Sequence, residues 1–153
     1  MLLEFKSLTN RKAIDLIPYV KHFIATNEDT HLYVGTDSQA HGGYTHFTTV
    51  IVLHNRTKGG HVLYTDVKLK RITDEYTYLW KELEQSIEVA QYLTSQGIQK
   101  PDFIDIDMNP DPKYRSNSLL RSAVGYVEAL GFTPRVKPDS MAATHVADAL
   151  CRA

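Results

Sequence analysis

Four carboxylates, Asp37, Glu82, Asp107 and Asp148, each fall at the edge or start of a separate predicted element. Asp37 follows Leu32-Tyr33-Val34-Gly35-Thr36, which reads as a strand entering a core, so the acid is expected at the strand tip. Burying ionised oxygens there is costly unless a cation or hydrogen-bond donors meet them. Asp107 closes a second apolar run. If the two strands are neighbours, both acids meet at the carboxyl edge, where open α/β sheets place ligands. Asp105 is the rival to Asp107, because it lies two residues earlier and shares its face. Asp107 is preferred as the residue just before the chain leaves the sheet. Glu82 sits one step off the buried stripe of a long helix, and Asp148 sits among Val146, Ala149 and Leu150 in the last helix. Singly, each acid is an ordinary surface carboxylate; their joint placement carries the reading. Oxygen ligands without a histidine or cysteine cluster suit Mg2+ or Mn2+ rather than zinc. Two such ions about 3.5 to 4 Å apart can activate a water and stabilise the leaving oxygen of an in-line displacement at phosphorus. Phosphodiester hydrolysis is the chemistry that fits.

The elements that must position these acids follow from periodicity. Apolar residues at helical spacing predict a helix over 10–26, with Asn10 as N-cap and a kink near Pro18. Period-two alternation then predicts strands from Leu32, over 44–54 and over 61–70, three consecutive antiparallel strands in a meander. Thr73 or Asp74 caps a long helix running to about Ser95, and Gly97 and Pro101 end it. A fourth strand over 102–108 stops at Asn109-Pro110, a helix follows over 116–130, then a short strand over 132–136 and a last helix over 141–152. The order is β-β-β-α-β-α-β-α, an α/β fold with a mixed five-stranded sheet, behind an N-terminal helical extension over 1–30.

The 153 residues fit a single domain with one core. A 42% hydrophobic and 23% charged composition is that of a soluble globular chain, and no run of about 18 apolar residues exists to span a bilayer. No signal peptide is read at Met-Leu-Leu-Glu-Phe-Lys, and the single cysteine, Cys151, points to a cytoplasmic setting. Seventeen basic and eighteen acidic residues give a net charge of −1. This removes the strongest electrostatic argument for a nucleic-acid partner, although bound metal at four clustered acids would leave the rest of the surface more basic.

Thr36-Asp37 followed by Ser38 resembles the first-strand motif of the ribonuclease H-like superfamily, and the chain is similar in particular to its bacterial YkuK-like group. Lys81-Glu82-Leu83 with Ile87 and Leu93 resembles the helix bearing the second acid. Asp107 leading into Met108-Asn109-Pro110 resembles the third, and Ala147-Asp148-Ala149-Leu150-Cys151-Arg152 resembles the last-helix motif. The similarity covers roughly 32–152. It implies an RNase H-like fold in which Asp37, Glu82, Asp107 and Asp148 bind two Mg2+ and cut RNA, an RNA:DNA hybrid or structured DNA. Two departures, the lack of an obvious basic insertion and Ser38-Gln39 where a glycine is frequent, weigh against the hybrid and leave the metal site intact.

Other residues are weaker candidates for substrate contact. Ser38 follows the first acid, Asn109 lies beyond the third, and Lys113 and Arg115 in the same loop can meet phosphates, as can Lys68, Lys70, Arg71 and Arg121. His145, three residues before Asp148, can shuttle a proton, although a helix histidine satisfied by its neighbours explains it as well. Tyr76, Tyr78, Trp80 and Tyr92 on the long helix read as packing.

Overall fold

The computed structural model describes residues 3–55, 59–108, 113 and 117–136. Three long strands dominate it: β3 (His31–His41), β4 (Tyr44–Asn55) and β5 (Gly59–Lys70). Gly42 and Gly43 join the first two, with His41 paired to Tyr44. Gly42 takes a φ of 58°, the left-handed geometry that a two-residue hairpin loop needs so that the strands keep their twist. Ahead of the meander come β1 (Phe5–Ser7), β2 (Ala13–Ile14) and α1 (Leu16–Thr26); after it come α2 (Glu75–Ser95), β6 (Phe103–Ile106), α3 (Asn117–Ala129) and β7 (Pro134–Val136). The mixed sheet runs β2-β1-β5-β4-β3-β6-β7, with β6 parallel to both β3 and β7.

The sheet therefore has seven strands among the described residues, not five. The two additions come from the N-terminus, where Phe5–Ser7 pairs antiparallel with both Ala13–Ile14 and β5. The predicted first helix starts late for the same reason: Ala13 and Ile14 are strand residues, and Asp15 occupies the N-cap position before Leu16. Pro18 then falls in the first turn, where a missing N–H costs nothing, so no kink is required. The expected last helix over 141–152 lies outside the described residues.

Strand alternation gives the sheet two distinct faces. Leu32, Val34, Ile51, Leu53 and Leu63 share one face and pack against Val20 and Phe23 of α1 and Val89 and Leu93 of α2. Ile104 and Ile106 continue that face beneath Leu83 and Ile87 of α2 and Ala123 and Val127 of α3. All three described helices thus lie on the same side. Asp74 caps α2, its Oδ2 accepting from Thr77 N at 2.9 Å. β6 is fastened to β3 at its start by Asp102, whose Oδ2 accepts from Leu32 N at 2.7 Å. No helix among the described residues is long and apolar enough to cross a membrane.

Candidate metal centre

The acids meet because two neighbouring strands end at different heights. β3 and β6 pair in parallel at Tyr33 with Phe103 and Val34 with Ile104. Continued in that register, Asp37 is level with Asp107. Asp37 does not end its strand, as the sequence suggested; β3 runs on to His41. It is β6 that stops, at Ile106, leaving Asp107 as the first residue beyond it. Past that point no described strand covers this edge of β3. Each of Asp37, Glu82 and Asp107 brings an oxygen to this edge, and the three oxygens lie within 4.8 Å of one another. Asp37 and Glu82 are buried and Asp107 is half-buried.

Glu82 is delivered by α2 through a pair of cross-links to β3. Thr36 Oγ1 and Ser86 Oγ share a hydrogen bond at 2.7 Å, and Thr36 is bonded in turn to Thr49 Oγ1 at 2.9 Å. Two residues along the strand, Ser38 donates to Glu82 Oε2. Two strand residues advance about 6.7 Å and four helical residues about 6 Å, so the spacing Thr36-Ser38 matches the spacing Ser86-Glu82. The match sets the height of the carboxylate against Asp37.

Crowding of like charge has the expected electrostatic result. Burial raises the Glu82 carboxyl well above its ordinary value, the charges of Asp37 and Asp107 raise it further, and the hydrogen bonds from Ser38 only partly oppose them. Tyr78, one turn earlier on α2, is raised by burial and then by Glu75, Glu82, Asp107 and Asp37, so its phenol stays a donor. A cavity of about 10 Å3, bordered by Thr36, Glu82, Asp105 and Asp107, lies against the acids and has room for one water-sized body.

Asp105 has a different partner. Its side chain is fully buried and takes a two-point contact from Arg135 of β7, Nε to Oδ1 at 2.8 Å and Nη2 to Oδ2 at 3.2 Å. The Arg135 guanidinium also lies over the rings of Tyr33 and Phe103, at 4.5 and 4.7 Å from their centroids. Asp105 is held as a structural ion pair two residues from Asp107. That decides between the two acids: Asp107 joins the cluster.

Of the other residues singled out in sequence, Ser38 is engaged with Glu82, and Lys113 stands at the surface. Asn109, Arg115, His145 and Asp148 lie outside the described residues. Tyr78, Ser86 and Thr36 were missed. The signal for Ser86 and Tyr78 was there, since each is four residues from Glu82 and shares its helical face.

The donor set consists of carboxylate oxygens, two on buried side chains and one on a half-buried one, which fits a hard divalent cation and includes no nitrogen or sulfur ligand. Comparison with known families matches residues 15–152 to the family described as Ribonuclease H-like. The chain belongs to that family, in which its resemblance to the YkuK-like group placed it. Neither the curated proteins nor the solved structures yielded a match.

Proposed function

We propose that the chain is a divalent-metal-dependent nuclease that hydrolyses phosphodiester bonds in RNA, an RNA:DNA hybrid or structured DNA, acting in the cytoplasm as a single domain. The observation that carries this reading is the convergence of Asp37, Glu82 and Asp107 at the open edge of β3 in a chain of the ribonuclease H-like family. Asp37 and Asp107 supply charged oxygens from two adjacent strands. Glu82 supplies a third and releases its proton as cationic charge arrives, because the same charge removes the reason for holding it. Ser38 keeps the Glu82 carboxylate from swinging away, and Asp148 is the fourth ligand that the family resemblance implies. Mg2+ or Mn2+ at these acids would polarise a phosphate oxygen and generate hydroxide from water near neutral pH.

The test is a panel of labelled single-stranded, duplex and hybrid substrates incubated with Mg2+ or Mn2+. Cleavage by the natural chain and its loss in a folded Asp37→Asn variant are the expected results; undiminished cleavage by Asp37→Asn would end the catalytic role of this residue. The net charge of −1 favours one alternative, a non-catalytic module that binds nucleic acid or a protein partner, which retained binding without metal-dependent cutting would single out.

A further inference from the structure

Beside the acids the structure holds a second cavity that the metal chemistry does not use. A cleft of about 260 Å3 opens between the far half of β3, the start of β4 and the beginning of α2, lined by Ser38, Gln39, Ala40, Thr45, Ile72 and Tyr78. Two of these residues connect it to the cluster. Ser38 donates to Glu82, and Tyr78 lies one turn before Glu82 on the same face of α2.

The cleft is built into the fold. Thr45 Oγ1 accepts from Ile72 N at 2.9 Å, Arg71 N donates to Gly43 O at 3.0 Å, and the Arg71 guanidinium donates to Gly42 O at 2.8 Å. These bonds tie the segment entering α2 to the β3–β4 hairpin, so both walls are fixed before any ligand arrives. The walls are of two kinds. Ala40, Ile72 and the Tyr78 ring offer apolar surface, while Ser38 and Thr45 offer hydroxyl edges. None of the six lining residues is charged at neutral pH, so the part of a ligand that enters is itself uncharged. The volume falls below the roughly 300 to 1,000 Å3 of pockets for drug-sized ligands, and a duplex does not fit. An aromatic ring with aliphatic neighbours and hydrogen-bonding edges is how proteins hold bases that have left a stack.

We propose that this cleft is a nucleoside subsite, which takes one unpaired base of a nucleic-acid strand and thereby sets which phosphodiester lies against Asp37, Glu82 and Asp107. The inference rests on the nuclease reading above and narrows its substrate to strands with an unpaired nucleotide next to the scissile bond. The Tyr78 ring stacks on the base, and Ser38 and Thr45 border its edge.

Binding can be read without cleavage in the full chain carrying Asp37→Asn, with Mn2+ present, by fluorescence anisotropy of short labelled single-stranded RNA and DNA. Ala40 is exposed, so Ala40→Trp fills the cleft without disturbing the core. Added to that background, Ala40→Trp should weaken oligonucleotide binding about fivefold to a hundredfold, the range for losing one stacked base. Tyr78→Ala should do the same and Tyr78→Phe should retain most of the affinity. With Asp37 restored, Mn2+ affinity by calorimetry should stay within about twofold of the natural chain for Ala40→Trp, since no acid is touched. An oligonucleotide with one abasic position, moved along the strand, should bind the parent less well at one position and the Ala40→Trp protein equally at all. Unweakened binding by Ala40→Trp, or a flat abasic profile in the parent, overturns the subsite and leaves the nuclease reading standing. Failure of the parent to bind any oligonucleotide while the natural chain binds Mn2+ overturns both.

Discussion

Replacing Glu82 by glutamine should stabilise the metal-free protein, and by more as the pH rises. Three carboxylate oxygens within 4.8 Å would repel one another by about 3 kcal/mol per ionised pair at an effective dielectric of about 20. The protein avoids that cost by keeping Glu82 protonated: burial first, and the charges of Asp37 and Asp107 after it, raise its carboxyl well above the ordinary value. The unfolded chain titrates with its ordinary pKa, so above it the unfolded state is ionised while the folded state still holds the proton. Folding then takes up a proton, and stability is lost as the pH rises from the ordinary glutamate value toward the raised one. The slope is at most about 1.4 kcal/mol per pH unit. Glutamine keeps an oxygen to accept from Ser38 and carries no charge, so Glu82→Gln escapes the loss. The variant should therefore gain on the natural chain in EDTA as the pH rises above the ordinary glutamate value, by no more than that slope. For a chain of this length each kcal/mol is about 2 to 4 °C in melting temperature. At pH 7, Mn2+ at about a thousandfold excess over Kd should reverse the order, because it adds about 4.1 kcal/mol to a protein that binds it and little to one that has lost a ligand. Calorimetric melting of both proteins across pH 5 to 8, with EDTA and with Mn2+, measures all of this. A Glu82→Gln protein that melts below the natural one in EDTA, or a gap that does not widen with pH, would refute the reasoning.

Two further outcomes are expected. Arg135→Met leaves the Asp105 carboxylate buried without its two-point partner and should cost about 3 to 5 kcal/mol in urea unfolding, while adding Asp105→Leu should restore most of the loss; a single variant as stable as the natural chain would show the pair to be dispensable. Thr36→Val removes the hydroxyl shared by Thr49 and Ser86 and should cost about 1 to 3 kcal/mol, with weaker Mn2+ binding by calorimetry, because the latch that sets the height of Glu82 is gone; a destabilised protein with unchanged Mn2+ affinity would limit Thr36 to folding.

How much of this was legible depends on how local the determinants are. The meander and α2 were readable because period-two alternation and a helical stripe are local patterns, and Asp74 marked the start of α2 in the capping position it occupies. Phe5–Ser7 and Ala13–Ile14 were not, because strands of three and two residues carry almost no periodicity and exist only through pairing with each other and with β5. Apolar residues at 13 and 14 continue the stripe of α1, so the helix was drawn too early. The choice of Asp107 over Asp105 was reached from its position at the strand end, but the physical reason lay elsewhere. Arg135 occupies Asp105, and a partner thirty residues away in sequence leaves no local trace.

The centre owes its character to a difference in strand length. A glycine hairpin lets β3 continue past Asp37, whereas the chain leaves β6 after Ile106, so an edge that would elsewhere be covered by a ladder is bordered by carboxylates. Beyond hydrogen-bond donors, two things can keep such a cluster in a folded protein: one acid holds a proton, or a cation sits among them. The two compete for the same oxygens. The Thr36–Ser86 bond fixes α2 from below, so Glu82 cannot relieve the repulsion by moving its backbone, and protonation is the response left to the metal-free chain. The same fixity that makes Glu82 a weak acid therefore makes it a ready ligand, since loss of its proton needs no rearrangement of the helix that carries it. Cation affinity should accordingly rise with pH over the range in which the apoprotein loses stability, and both curves should level off at the same pH, where the raised Glu82 carboxyl of the folded apoprotein has lost its proton.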